Sequence, residues 1–289
     1  MECPEFLCYI QLYLYLVTND GNQTMKLLVS GGRKFEDVEF VARQLSRVHK
    51  AIPITTVVHG DADGVDTFAD RWAKVMGITR ERFPIDDQMW RAYGKAAGPK
   101  RNREMFDTAK PEVVICFPGG SGTNDMYKYA TKQGAVVERI LACYFKKEDP
   151  EIGFLSNFAL GYGFEDRDGI WWETSEHYYQ AMKSPFAEER EVVRKQETPK
   201  KAKSKGRDIN KYADWDEGRK IEAMKMALAY KFSDREARIR LVNTSPDYLV
   251  EFAPWGDDYW GVDKHYRGKN ILGKLLVELR EELIESSRH

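Results

Sequence analysis

The chain is poor in cysteine, nearly neutral overall, and without an apolar run long enough to cross a membrane. Its four cysteines, Cys3, Cys8, Cys116 and Cys143, share no metal-ligand spacing. That excludes a cysteine-based metal motif, and reduced thiols in apolar contexts fit a reducing, cytoplasmic setting, or a host cytoplasm if the source is viral. With 45 basic against 46 acidic residues, the whole chain exerts no strong pull on nucleic acid or on an anionic membrane, which leaves only a local basic face for such contacts. The longest apolar stretch, residues 6–17, has no basic leader and is shorter than the ~20 residues a spanning helix needs, so no membrane partner is expected.

What is present is ample core material. A length of 289 residues, with 42% hydrophobic, 12% aromatic and 31% charged side chains, suits two globular domains, each able to bury a core of its own. Residues 1–24 read as an upstream extension, with an added edge strand or amphipathic helix as the alternative. The charged segment Lys146-Lys147-Glu148-Asp149-Pro150 marks a boundary, giving expected domains of 25–145 and 152–289.

In the first domain, apolar runs alternate with helical spacing. Lys26 to Ser30, Thr55 to Val58 and Glu112 to Phe117 read as strands; Val38 to Val48, Asp66 to Met76 and Asn124 to Gln133 read as helices. Such alternation predicts an α/β, Rossmann-like, doubly wound parallel sheet with its ligand crevice outside the carboxyl ends of the strands. Three polar loops fall at those ends. Gly119, Gly120, Gly122 and Thr123 open a helix in the manner of a phosphate cradle, because glycines let backbone N–H groups approach an anion. Gly32 and Arg33 lie in a second loop and Asp61 and Asp63 in a third, with Arg101 and Lys100 as candidate anion partners. His59, Asp61, Asp63 and Asp66 resemble the start of a calcium loop, but the remaining ligand pattern is missing; helix capping or ribose binding is the better reading, and neither metal nor cofactor is expected.

With Gly31-Gly32-Arg33-Lys34-Phe35, His59 through Asp66, Ala97 through Asn102 and Phe117 through Thr123 in place, residues 25 to about 135 resemble the SLOG superfamily, and within it the YspA-like branch. The resemblance implies a nucleotide or a nucleotide-derived signal as ligand. Its hydrolytic LOG-type members carry a glutamate three positions after the threonine of the glycine motif, where this chain has Met126. Asp125, one position early, points about 100° away around the helix. The resemblance therefore implies sensing or substrate presentation in this domain more than cleavage.

The second half reads as a mostly α-helical α+β domain. Thr174 or Ser175 caps a helix through Ser175-Glu176-His177-Tyr178-Tyr179-Gln180-Ala181-Met182-Lys183, on which Glu176, Tyr179, Gln180 and Lys183 share one face. An isolated acid and amine so spaced would flank a solvated surface; the aromatic neighbours and the glycine- and aromatic-rich turns at Asn157, Asp257 and Asn270 favour a cleft. The basic run Thr198 to Arg207 is either a phosphate contact or a solvated helix. Ile221, Met224, Leu228 and Phe232 recur at helical spacing as core.

Residues 152–283 resemble the NADAR family, which includes the YbiA-like N-glycosidases. The matching motifs are Phe154-Leu155-Ser156-Asn157-Phe158, Ser175 through Lys183, Trp215, Asp257-Asp258-Tyr259-Trp260-Gly261, and Asn270 with Gly273. The resemblance implies cleavage of a ribosyl-base bond, either in riboflavin-pathway ribosylamino intermediates or between ADP-ribose and guanine, so that an ADP-ribose-type nucleotide and ADP-ribosylated nucleic acid are the expected partners. Glu176, Lys183 and Asp257 are the implied catalytic residues; Asn157, Tyr179, Trp215, Trp260, Asn270 and Gly273 are the implied substrate contacts. Which of Asp257 and Asp258 faces inward is open, as is assembly into a homo-oligomer.

Overall fold

A computed structural model of the chain describes residues 25–287. The expected extension at 1–24, with Cys3 and Cys8, lies outside them. Two compact units divide between Leu141 and Ala142. Among the described residues no helix is long and apolar enough to cross a membrane.

The first unit is a five-stranded parallel sheet, built from β1 (Met25–Ser30), β2 (Ile54–His59), β3 (Thr79–Arg82), β4 (Val113–Cys116) and β5 (Val136–Arg139) in the order β3-β2-β1-β4-β5. Its central strands are continuous apolar runs because both faces are covered. Helices α1 (Val38–Ala51) and α2 (Val65–Val75) pack together, as do α4 (Ala97–Ala109) and α5 (Ser121–Lys132), with the short α3 (Asp87–Tyr93) between the pairs in sequence. The doubly wound expectation holds. Helix α4 was not foreshadowed by its Gly98-Pro99 dipeptide, which falls in the first turn, where proline costs no hydrogen bond. The strand order reverses between β1 and β4, and that switch brings the glycine loops together: Gly32 N donates to Pro118 O at 3.0 Å.

The second unit begins earlier than expected. Ala142–Phe145, assigned by its sequence to the first domain, is strand β6 and pairs in parallel with β9 (Tyr248–Glu251) of the second unit. A pairing between segments more than a hundred residues apart has no local signature. Between them come the hairpin β7 (Phe164–Glu165) and β8 (Trp171–Trp172) and the helices α6 (Ser175–Ala181), α7 (Ala187–Arg194), α8 (Pro199–Lys205), α9 (Arg219–Lys231) and α10 (Arg235–Val242). Helix α11 (Ile271–Ser286) closes the unit against β9. Phe164, Trp172, Val193 and Ile209 form an aromatic and aliphatic core with Tyr178 of α6, and all seven residues of that helix are buried.

Candidate active site

Helix α6 is fixed at its start by two contacts. Thr174, not Ser175, is the cap, and its hydroxyl accepts from His177 N. His177 Nε2 donates to Gln196 O at 3.0 Å, so Nδ1 is the acceptor for the Thr174 hydroxyl at 2.8 Å. Glu176 N then donates to Asn157 O at 3.1 Å, which ties the first turn to the loop carrying Asn157. Lys183 is not on the helix as expected. The helix ends at Ala181 and Lys183 lies beyond its cap, in a turn that keeps the side chain on the same cavity.

That cavity has a volume of about 780 Å³, within the range of small-molecule sites, and lies wholly in the second unit. Six of the expected residues line it: Asn157, Glu176, Tyr179, Lys183, Asp257 and Trp260. Glu176 is 4% exposed, and its Oε1 accepts from Gln180 Nε2 at 2.8 Å. Burial raises its carboxyl above the usual range, against the lowering effect of Lys203, the Gln180 bond and Lys183; Asp257 raises it further. Burial brings the Lys183 amine down to about 8, with Glu176 opposing and Lys211, Lys203 and Arg207 assisting. Lys183 Nζ donates to Gly206 O at 3.3 Å and sits 5.7 Å from the Tyr179 ring centre. Asp257 is the inward aspartate and Asp258 is exposed. Asp257 Oδ1 accepts from Trp260 N at 3.0 Å, and Oδ2 lies 3.9 Å from Lys203 Nζ.

Three expected contacts stand one layer behind the wall. Trp215 is 4% exposed and packs on Tyr179 with ring centres 5.4 Å apart. Asn270, in a left-handed conformation at the start of α11, accepts from Glu251 N at 3.0 Å and donates to Leu249 O at 2.8 Å. A Cβ on Gly273 would lie 2.2 Å from Leu249 O, so glycine there lets α11 approach β9. These residues shape the cavity without touching its space.

Further residues line the cavity, among them part of the basic run at 198–207. Lys200 and Lys203 of α8, and Arg207 just beyond its end, reach the rim, joined by Lys146 and Lys147, while Lys201 turns away to pair with Glu197. Glu251 contributes a further acid and Trp255 an indole that is 67% exposed. On the wall, Asn157 Nδ2 contacts Met224 Sδ at 3.2 Å, whereas Asn157 Oδ1 and Gln180 Oε1 are buried with no hydrogen-bond partner among the described residues. Buried acceptors of this kind suit hydroxyl or N–H donors of a ligand.

In the first unit the expected nucleotide loops converge but divide into two kinds. Gly120 and Gly122 are exposed at the start of α5, and nothing lies within 4 Å of the place a Cβ would occupy. Gly32 and Gly119 approach one another closely, with a Gly119 Cβ placed 2.9 Å from Gly32 N and 2.2 Å from Thr123 Oγ1. Arg33, Asp61 and Asp63 are exposed; Asp61 Oδ1 lies 4.0 Å from Arg82 Nε. Arg101 departs from the expectation. It is 8% exposed, and its guanidinium donates to Gly60 O and to Phe83 O rather than facing an open anion site. Asp66 accepts from Gly60 N at 3.0 Å and Ala62 N at 3.2 Å, and His59 uses one ring nitrogen on Asp61 N and the other on Asp70. This cluster is occupied in holding its own turn. Met126 is fully buried in the core, and Asp125 pairs with Arg103 at 3.0 Å.

The NADAR domain model matches residues 143–284, and that of the YspA, cpYpsA-related SLOG family matches residues 25–92. N-glycosidase YbiA of Escherichia coli (strain K12) is 44% identical over 154 residues, covering 52% of this chain and 92% of that protein. An NMR structure of E. coli YbiA is similar at 40% identity, covering 51% of this chain and 88% of that one, with a TM-score of 0.46. N-glycosidase Npun_R5314 of Nostoc punctiforme is 34% identical over 149 residues, 50% of this chain and 93% of that protein. The chloroplastic riboflavin biosynthesis protein PYRR of Zea mays is 35% identical over 150 residues, 46% of this chain and 23% of that protein. With the domain matched across almost its whole second unit and a relative covered over nine-tenths of its length, the chain belongs to the NADAR domain family, joined to an N-terminal domain of the YspA, cpYpsA-related SLOG family.

Proposed function

We propose that the second unit is an N-glycosidase that hydrolyses a ribosyl-base bond, with ADP-ribose on guanine as its leading substrate. The observation that carries the reading is the buried Glu176 carboxyl, held by Gln180, opening on a cavity that also presents Lys183 and Asp257. As the C1″–N bond breaks, the ribose takes on oxocarbenium character, and an anionic carboxylate beside C1″ stabilises it. Glu176, a stronger base for being buried, accepts a proton from the attacking water. Lys183 is about one-tenth uncharged at pH 7 with its amine near 8, which suits it to attack an opened sugar aldehyde. The cationic rim of Lys146, Lys147, Lys200, Lys203 and Arg207 fits a diphosphate, Tyr179 and Trp260 offer ring faces or edges to a base, and Asn157 Oδ1 accepts from a ligand donor.

The first unit is proposed to bind a nucleotide at the open amides of Gly120 and Gly122, without cleaving it. A second substrate reading, ribosylamino intermediates of riboflavin synthesis, is favoured by the name of the maize relative. Competition decides between them. Purified protein given both a guanine-ADP-ribosylated oligonucleotide and a ribosylamino-pyrimidine, followed by mass spectrometry, is expected to turn over the former at least about 10-fold faster in kcat/KM, a gap of about 1.4 kcal/mol. Preference for the pyrimidine would transfer the assignment to the second reading.

A further inference from the structure

Four acids line the cavity, and three of them are accounted for. Glu176 is held by Gln180. Asp257 is tethered between Trp260 N and Lys203. Glu148 lies on the exposed rim, 3.7 Å from Lys147. Glu251 alone has neither a hydrogen bond nor an ion pair to its carboxyl group among the described residues, yet its backbone is firmly held. Its strand pairs with β6 in the register Phe145↔Glu251, its N–H donates to Asn270 Oδ1 at 3.0 Å, and its carbonyl accepts from Val262 N at 2.8 Å. A Cβ on Gly261 would meet Glu251 O at 2.5 Å, so the chain on that side is closed against it as well. The fold holds this main chain by these contacts and leaves the side-chain acid free to meet a ligand.

We propose that Glu251 is the proton donor to the departing base. The inference rests on the N-glycosidase reading and adds a role that Glu176, Lys183 and Asp257 do not fill. When the C1″–N bond breaks, its electron pair remains with the base, and the Glu251 proton moves onto a base ring nitrogen. Water adds its oxygen to C1″ and yields a proton to Glu176; exchange with solvent then returns Glu251 and Glu176 to their starting forms. Base and sugar leave as base-H and ribose-OH, which balances the consumption of one water.

The surroundings of Glu251 support its being protonated when substrate arrives. Burial first, then the charges of Asp257 and Glu176, push its carboxyl up to about 8, with Lys203 opposing. Lys146, Lys147, Glu148, Lys183, Lys200 and Arg207 are the other charged groups that line the cavity. Because Glu251 donates from its protonated form, turnover is expected to fall as pH rises through about 8. Lys183 acts in the opposite sense, since loss of its proton near 8 frees the amine.

The test compares the full-length parent with Glu251→Gln and Glu251→Asp on an oligonucleotide bearing ADP-ribosylated guanine, reading kcat and KM from about pH 6 to about pH 10. Glu251→Gln is expected to lose about 100-fold or more in kcat with KM within about 3-fold, and to lose the alkaline fall. Glu251→Asp is expected to recover part of the rate with the fall displaced. A Gln variant that retains kcat, keeps the alkaline fall, or carries its loss in KM overturns the proposal. If thermal unfolding shows the Gln variant misfolded, the Asp variant decides, and an unmoved alkaline fall overturns it. A folded parent that releases nothing from this oligonucleotide or from a ribosylamino-pyrimidine rejects the N-glycosidase reading itself, and the Glu251 role with it.

Discussion

Lys231 shows how single side chains hold the cavity wall in place. It is 2% exposed on α9, and its Nζ donates to Ser156 O at 2.9 Å, beside Asn157. Burial takes its amine from 10.5 down to about 7. Between those values the unfolded chain binds the extra proton, so this lysine's contribution to stability rises with pH across that window. Relative to Lys231→Met, the parent should gain up to about 1.4 kcal/mol per pH unit from about pH 7.5 to about pH 9.5, as measured by urea unfolding. At Asn157 the expectation concerns binding. Asn157→Ala removes the unpartnered Oδ1 and should raise KM about 10-fold with little change in unfolding free energy, the size of one ligand hydrogen bond. Unchanged KM would show that this oxygen does not meet substrate. The residue scale was also where the sequence was most legible. Glu176, Tyr179 and Lys183 lie within one short motif, whose residues local spacing brings to one side. Glu251 escaped notice because it ends an apolar strand, Tyr248–Glu251, where an acid reads as the solvated tip, and only the long-range pairing with β6 turns it toward the cavity.

At the scale of elements, the wall depends on how closely α11 approaches β9. Gly273→Ala sets a methyl 2.2 Å from Leu249 O, and the helix must move or the strand must yield. A loss of about 1–3 kcal/mol in stability is expected, with a larger proportional loss in kcat than in stability-matched surface variants, because β9 carries Glu251. Activity that tracks the folded fraction alone would contradict this linkage. Asn270 and Gly273 are implied as substrate contacts only by family resemblance; a glycine or asparagine in a motif signals either a turn or a ligand, and the sequence does not distinguish the two. The same ambiguity covered α8. Its lysines read equally as a solvated helix, and only the packing of α8 on α6 places Lys200 and Lys203 at the rim while leaving Lys201 outside.

For the whole molecule, the parallel sheet and its helices were legible because buried strands and amphipathic helices differ in period, whereas the start of the second unit was not, since β6 is defined by a partner far along the chain. Each unit has its own core, the NADAR model matches residues 143–284, and the YbiA relative is matched over 92% of its length. Residues 142–289 alone should therefore retain kcat within about 3-fold of the full chain, a difference under 1 kcal/mol. A much larger loss would give the first unit a part in turnover. The central claim is that the Glu176 cavity breaks a ribosyl-base bond, and product analysis tests it most directly. The parent and Glu176→Gln are each incubated with DNA carrying ADP-ribosylated guanine, and free ADP-ribose and restored guanine are followed by mass spectrometry. Release by the parent, slowed about 1,000-fold in the variant with both proteins folded, is the predicted result; equal release by the two, or none by either, would contradict it.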